Sequence, residues 1–367
     1  MSTLLSLFYF FYFGVVGVYV IFMPKVLAMY GYSATDIGAI FAAGPLVRFL
    51  LPFAFLNGLK IDIKNFNIAI IIMLISSISF YFSLDSFYKL LISNIGLGIG
   101  LSLILPYIEV ISLSRIGKER YGKIRLFGSI GFVLVAMVLV KFMSSPETAL
   151  NYLLAGTFIT AIFSFFIAKD GKAKEENKEE IVNDIDLLKD WRLWLGLTMM
   201  QVSFGSFYNF FTIYETNNGV SLDITIYLWS FGVLAEIFML YYQGKFLHNN
   251  LIAILQITTL ATAFRWLLVF MFPQNIAILF FSQSLHALSF ALFHSASISY
   301  LYNLYKHKAL AQQFFSGITY GLGGFSGALI AGYIYQNYPT YIFLSSTIFA
   351  LISFFSLYLH AKKVQPQ

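Results

Sequence analysis

Residues 106–132 read PYIEVISLSRIGKERYGKIRLFGSIGF, from Pro106 to Phe132. The stretch begins inside one apolar run and ends inside the next. Arg115, Lys118, Arg120 and Lys123 form a basic connector between the runs, and each run carries one charge, Glu109 before the connector and Arg125 after it. Two apolar runs flanking a basic connector predict a pair of membrane helices joined on the cytoplasmic side. Glu109 precedes Arg115 by six residues, which places it about 9 Å inside its helix at ~1.5 Å per residue. Arg125 lies a similar short way into the next. At comparable depth the two are predicted to pair.

The same pattern extends over all 367 residues. Hydrophobic residues make up 59% of the chain and charged residues 11%, with a mean hydropathy of +0.78. A soluble domain carries roughly twice that charged fraction. Twelve apolar segments are predicted, at about 3–29, 37–58, 66–83, 88–113, 123–143, 149–168, 192–214, 223–243, 250–272, 275–303, 310–335 and 340–360. Backbone polar groups in lipid must be satisfied within the segment, so these are expected to be helices. The alternation of a membrane β-barrel is absent. The N-terminus, MSTLLSLFYFFYFG, lacks a basic leader and a small-residue cleavage site, and reads as the first span.

Charge gives the orientation. Seventeen of the 23 lysines and arginines fall in the connectors and tail on one side; Lys25, Lys89 and Lys141 fall on the other; Arg48, Arg125 and Arg265 fall inside spans. This asymmetry predicts a multi-pass inner (plasma) membrane protein with both termini cytoplasmic. It also accounts for the net charge of +6 without a nucleic-acid partner. There is no cysteine, which excludes disulfides and thiolate metal sites. No nucleophile motif or metal-ligand spacing suggests an enzyme, and no cofactor is implied.

Lys169–Asp190, KDGKAKEENKEEIVNDIDLLKD, holds five lysines and eight acids. Such dense mixed charge stays in water. It is read as a cytoplasmic linker, 169–190, between an N-terminal six-helix bundle, 1–168, and a C-terminal one, 191–367. The two halves repeat at an offset of 188 residues. Gly17, Phe22, Gly31, Ser33, Gly44 and Leu46 fall on Gly205, Phe210, Gly219, Ser221, Gly232 and Leu234, and Arg48 falls on Glu236. Duplicated six-helix halves with a midplane substrate site are a transporter architecture.

Five charges lie within spans: Arg48, Glu109, Arg125, Glu236 and Arg265. Each costs roughly 2.5–3.5 kcal/mol near a helix centre, so each is expected to pair, face the bundle interior or line water. The tenth segment, SQSLHALSFALFHSASISY, carries His286 and His294 among serines. Histidine suits proton relay and ligand hydrogen bonding. Eight residues apart on an α-helix, the two are predicted about 12 Å apart along the axis and about 80° around it, unsuited to sharing a metal. Tyr208 and Asn209 in the seventh segment and Tyr19 in the first are further candidate ligand contacts. The string GITYGLGGFSGALIAGY follows no strand, so it is no phosphate loop; its glycines are expected to bring helices close together.

The chain resembles the phenylpropionate permease family of the major facilitator superfamily, relatives of the lactose permease type of proton symporter. The resemblance rests on YGKIRLFGSIGF (Tyr121–Phe132), LWSFGVLAEI (Leu228–Ile237), the Arg265-Trp266 pair, LHALSFALFH (Leu285–His294), the glycine string above and Arg48. It implies the major facilitator fold: an all-α integral membrane protein of twelve helices in two pseudo-symmetric six-helix bundles. It implies a substrate role for Glu109 and Arg125, and roles in substrate binding and proton coupling for Glu236, Arg265 and His286. The sequence departs from the family where Ser289 replaces a carboxylate and Phe204 replaces a histidine.

Together these readings predict a monomeric secondary transporter working by alternating access, whose partners are protons, a small molecule and the lipid bilayer. Tyr19, Arg48, Glu109, Arg125, Tyr208, Asn209 and His294 are assigned to substrate, and Glu236, Arg265 and His286 to the proton. Three arginines against two acids favour a small organic anion, an aromatic or aliphatic carboxylate. A sugar or nucleoside symporter, or a non-transporting sensor or lipid-handling protein of this fold, are the alternatives.

Overall fold

A computed structural model describes residues 1–57, 59, 62–142, 145–170, 185–247, 250–306 and 308–364. Among these, eleven helices are long and apolar enough to cross a membrane. They are α1 (Ser2–Met29), α2 (Ala34–Phe55), α3 (Ile63–Tyr81), α4 (Phe87–Ile116), α5 (Lys123–Phe142), α6 (Pro146–Lys169), α8 (Leu222–Lys245), α9 (Leu251–Met271), α10 (Ile276–Leu304), α11 (Leu310–Asn337) and α12 (Pro339–Lys363). The remaining expected span, α7, is two 13-residue helices, Trp191–Ser203 and Gly205–Asn217, with Phe204 at the break. The expected single helix over 192–214 is corrected accordingly. A smaller break at Phe22 divides α1 into Ser2–Ile21 and Met23–Met29, where Pro24 lacks the amide to continue the ladder.

The chain divides into two compact units, Met1–Asn177 and Lys178–Gln367. Most of the expected linker, 171–184, lies outside the described residues. The connector that opened the sequence argument differs from expectation. Helical backbone runs without interruption from Phe87 to Phe142, through the basic residues. In a straight helix Glu109 and Arg125 would stand about 24 Å apart. They are 3.6 Å apart, so the helical path doubles back between α4 and α5.

The 188-residue repeat is present at the level of single hydrogen bonds. At the end of α1, Tyr30 N donates to Val26 O, Gly31 N to Ala28 O and Tyr32 N to Leu27 O. At the end of α7, Asn218 N donates to Tyr214 O, Gly219 N to Thr216 O and Val220 N to Glu215 O. The same glycine makes each turn, with φ of 86° at Gly31 and 91° at Gly219, a conformation that penalises any Cβ. Ser33 then caps α2 through Asp36 N and Ser221 caps α8 through Ile224 N. Asp62 and Asn250 cap α3 and α9 at the same offset. The Tyr19–Phe41 ring pair, 4.9 Å between centroids, has its counterpart in Phe207–Trp229 at 4.1 Å.

Close helix packing in each unit relies on glycine. A Cβ on Gly131 of α5 would strike the Phe10 carbonyl of α1, and one on Gly205 of α7 would strike the Gly327 backbone of α11. In α2, Gly44 lies against Gly98 of α4; its repeat partner Gly232 in α8 lies against Gln283 and His286 of α10. The second arrangement leaves room for polar side chains that the first does not hold.

Two segments depart from α geometry. Ala287–Leu292 in α10 and Phe315–Leu322 in α11 are π-helical. Such segments are rare and occur frequently at functional sites. The first lies between the two histidines singled out in the sequence.

Candidate functional site

In the C-terminal unit three of the expected residues meet. Glu236 arrives from α8, Arg265 from α9 and His286 from α10. His286 Nε2 stands 3.5 Å from Glu236 Oε2, and His286 Nδ1 lies 2.8 Å from Arg265 Nη1. Arginine has donors and no acceptor, so Nδ1 accepts, which leaves the proton of a neutral imidazole on Nε2, facing the carboxylate. Arg265 Nη1 also donates to Ser289 Oγ at 3.0 Å, and Nη2 donates to Gln283 Oε1 at 2.6 Å. The guanidinium is fully buried, and its Nε has no hydrogen-bond partner among the described residues.

Aromatic faces surround this charge. The Arg265 guanidinium lies 4.3 Å from the Trp266 ring centre and 4.5 Å from that of Phe207, contacts that stabilise a desolvated cation. Phe204, at the break in α7, packs edge-on to Trp266 and stacks with Tyr208, at 5.2 and 5.5 Å. Trp266 donates to Ser203 Oγ and Trp229 donates to Thr212 Oγ1, which fixes both indoles. Tyr208 and the Arg265-Trp266 pair were singled out in the sequence; the grouping of Phe204, Phe207 and Trp229 with them had no sequence signal, because those rings come from α7 and α8.

His286, Phe290 and His294 form one column, with ring planes 11° and 12° apart at successive contacts. The expected separation of about 12 Å and 80° assumed α-helical winding throughout, and the segment between the two histidines is π-helical. The structure also gives His294 a neighbour in α11: its Nδ1 lies 2.7 Å from Tyr320 Oη.

The N-terminal unit holds the other expected cluster. Arg125 Nε is 3.6 Å from Glu109 Oε1, and Tyr121 Oη donates to the same carboxylate oxygen at 3.1 Å. Phe13 lies under the Arg125 guanidinium at 3.9 Å. Tyr9 is 5.4 Å away on another side, with its hydroxyl 3.1 Å from Ser112 Oγ. Both charges are about one-third exposed. The pair was expected from depth alone; Tyr121, Phe13 and Tyr9 were not singled out as its neighbours.

The remaining candidates lie apart from these clusters. Arg48 is exposed and makes no ion pair among the described residues. Tyr19 Oη donates to Asn94 Oδ1 at 2.6 Å, and Asn94 Nδ2 in turn bonds Ile40 O, tying α1, α4 and α2 together. Asn209 Nδ2 donates to Gly205 O within its own helix, leaving the amide oxygen available. Tyr208 is half-buried beside Phe204 and Phe207.

A helical membrane chain with repeated halves and charges within the spans of both is a secondary transporter of the major facilitator class. The chain belongs to the MFS_1 like family, whose model matches residues 2–345. A probable 3-phenylpropionic acid transporter of Escherichia coli (strain K12) is 22% identical, over 98% of this chain and 97% of that protein. An uncharacterized transporter of Bacillus subtilis (strain 168), YwbF, is 26% identical over 91% of this chain and 86% of its own length. Among solved structures, the nucleoside transporter NupG superposes with a TM-score of 0.81 at 17% identity, covering 98% of this chain and 99% of NupG. A D-xylose-proton symporter superposes at 0.71 with 14% identity, covering 99% and 96%. The expected family resemblance and fold stand.

Proposed function

We propose that this protein is a proton-coupled symporter of a small organic anion bearing an aromatic ring. It sits in the inner membrane with both termini cytoplasmic, works by alternating access and has two six-helix bundles joined by the charged linker. The reading rests on Arg265. Its direct hydrogen-bond partners are neutral acceptors, His286, Gln283 and Ser289, and the nearest acid, Glu236, is reached through the imidazole. A buried guanidinium without a direct carboxylate partner, and with Nε unused, is suited to receive an anionic substrate. Exposed Arg48 adds a second positive centre, whereas Glu109 and Arg125 offset one another.

Glu236 and His286 supply the proton step. With Glu236 ionised, His286 Nε2–H points at it and Nδ1 accepts from Arg265. A proton arriving on Glu236 weakens its hold on the imidazole, which frees His286 and Arg265 to reorient toward substrate. The half-buried rings of Tyr208 and Phe290 offer apolar edges for an aromatic group. The same edges would pack against a nucleobase, which keeps a nucleoside as the second reading.

The test is uptake of labelled 3-phenylpropionate into proteoliposomes under an imposed inward proton gradient, with uridine and xylose as competitors. Accumulation abolished by a protonophore and unaffected by uridine is expected. Uptake indifferent to the protonophore would sink symport; displacement by uridine would move the substrate to the nucleosides. Glu236→Gln is expected to lose gradient-driven accumulation at least tenfold and to retain counterflow exchange.

A further inference from the structure

One carboxyl group of the C-terminal unit belongs to neither cluster. Glu215 stands near the end of the second half of α7, with 0% of the residue exposed. Both its side-chain oxygens are buried without a hydrogen-bond partner among the described residues. Polar groups nearby in sequence or on the next helix are engaged elsewhere. Thr212 receives the Trp229 indole N–H at 3.1 Å, Thr216 donates to Thr212 O at 2.8 Å, and Thr225 donates to Ser221 O at 2.9 Å. Rings pack around this part of the helix: Tyr214 lies edge-on to Phe343 of α12 at 4.9 Å, and Phe211 edge-on to Trp229 of α8 at 5.8 Å. At the end of these elements where Glu215 stands, the titratable groups include Tyr214 itself, Tyr335 of α11, which bonds Asn217 and stacks on Phe210, exposed Asp223 at the start of α8, and exposed Tyr341 of α12. The cations of the same helices, Arg192 of α7, Lys245 of α8 and Lys362 and Lys363 of α12, stand at their opposite ends.

The repeat shows that the fold does not need an acid here. The equivalent residue in the first half is Leu27, also fully buried, and its carbonyl accepts the same turn hydrogen bond that the Glu215 carbonyl accepts. An ionised carboxylate in this position would be desolvated without a donor, at a cost of several kcal/mol; the neutral acid avoids most of it. The same element also carries a break in its helical ladder. The half-helix Gly205–Asn217 is separated from Trp191–Ser203 at Phe204, and it meets α11 through Gly205 against Gly327 with no side chain between.

We propose that Glu215 is a second proton-binding carboxyl, separate from the Glu236–His286–Arg265 cluster, loaded in this conformation and unloaded when the second half of α7 shifts against α11. Its use in transport rests on the symport reading above; its binding of a proton does not.

Infrared difference spectra of the full-length protein in lipid nanodiscs at neutral pH test the binding step. Wild type minus Glu215→Gln is expected to show one protonated-carboxyl carbonyl band that shifts in deuterium oxide, and the band is expected to persist in Glu236→Gln. Glu215→Leu, which installs the residue found at the equivalent position of the first half, is expected to fold and to lack the band. A difference spectrum with carboxylate bands, or with no carboxyl band, would overturn the proposal. So would a band present in sodium-free buffer and replaced by carboxylate bands on adding sodium, which would make the ligand a metal cation. The unloading step is read in counterflow against gradient-driven uptake of 3-phenylpropionate. Glu215→Gln is expected to keep the first and lose the second at least tenfold, and wild-type accumulation would overturn it. Wild-type uptake insensitive to a protonophore sinks symport and leaves the infrared result standing.

Discussion

Arg265 shows how much the surroundings of a single residue decide. An isolated guanidinium in a span is costly, and here three neutral acceptors and two flanking rings offset that cost. Ser289 is the informative neighbour, because its hydroxyl sits 3.0 Å from Arg265 Nη1. Ser289→Asp would place a carboxylate there and give Arg265 a permanent counter-ion. The expected outcome is a higher thermal midpoint and at least a tenfold loss of 3-phenylpropionate uptake, since the arginine would no longer be available to an anion. Unchanged uptake would remove Arg265 from the substrate site. In the other unit, Tyr121→Phe removes the hydrogen bond to Glu109 and is expected to cost about 1–2 kcal/mol, in the range for a bond to a charged acceptor, read in chemical denaturation. Glu109, Tyr121 and Arg125 share one window of sequence, whereas Arg265 takes its acceptors from α10 and its flanking rings from α7 and α9, which no single window joins.

At the scale of the element, continuity of helix and continuity of direction come apart. The backbone from Phe87 to Phe142 is helical throughout, yet it contains two spans that run back on one another. The sequence argument recognised the two spans from hydropathy and the basic connector, and it expected a non-helical loop because charge was read as punctuation. The break in α7 is the reverse case: Gly205 directly follows Phe204, but in the sequence it was read only as a position of the repeat. The glycines were legible as close contacts, and the structure sorts them by mechanism. Gly31→Ala and Gly219→Ala place a Cβ on left-handed backbone and are each expected to cost about 1–2 kcal/mol. Gly205→Val meets backbone on α11 that cannot give way, and about 1–3 kcal/mol is expected. Thermal unfolding of the three variants in one detergent would check both. A Gly31→Ala protein as stable as wild type would contradict the turn assignment.

At the scale of the molecule, the duplication is carried by caps and turns more faithfully than by side chains. Ser33 and Ser221, Asp62 and Asn250, and Gly31 and Gly219 keep their roles at one offset. Arg48 and Glu236 differ in charge and in surroundings, one exposed and one bonded to His286. Backbone geometry tolerates few residue types at a cap or a left-handed turn, whereas a polar side chain in a cavity is free to diverge once the halves take separate tasks. The positive residues on one side predict topology for the whole chain. A phosphatase fused after Gln367 is expected to be inactive and one inserted within 143–145 active, and the opposite pattern would invert the orientation.

Composition, hydropathy and charge sufficed for the class of this protein, because a bilayer demands long apolar helices and sorts lysine and arginine by side whatever the packing. The offset of 188 and the pairing of Glu109 with Arg125 were also legible, since each depends on spacing along the chain. The tertiary structure alone decided which neighbours share each charge, that His286, Phe290 and His294 stack in one column, and that Glu215 is buried without a hydrogen-bond partner among the described residues. Those outcomes depend on the rotation and approach of helices far apart in sequence, and these follow from the packing of whole units.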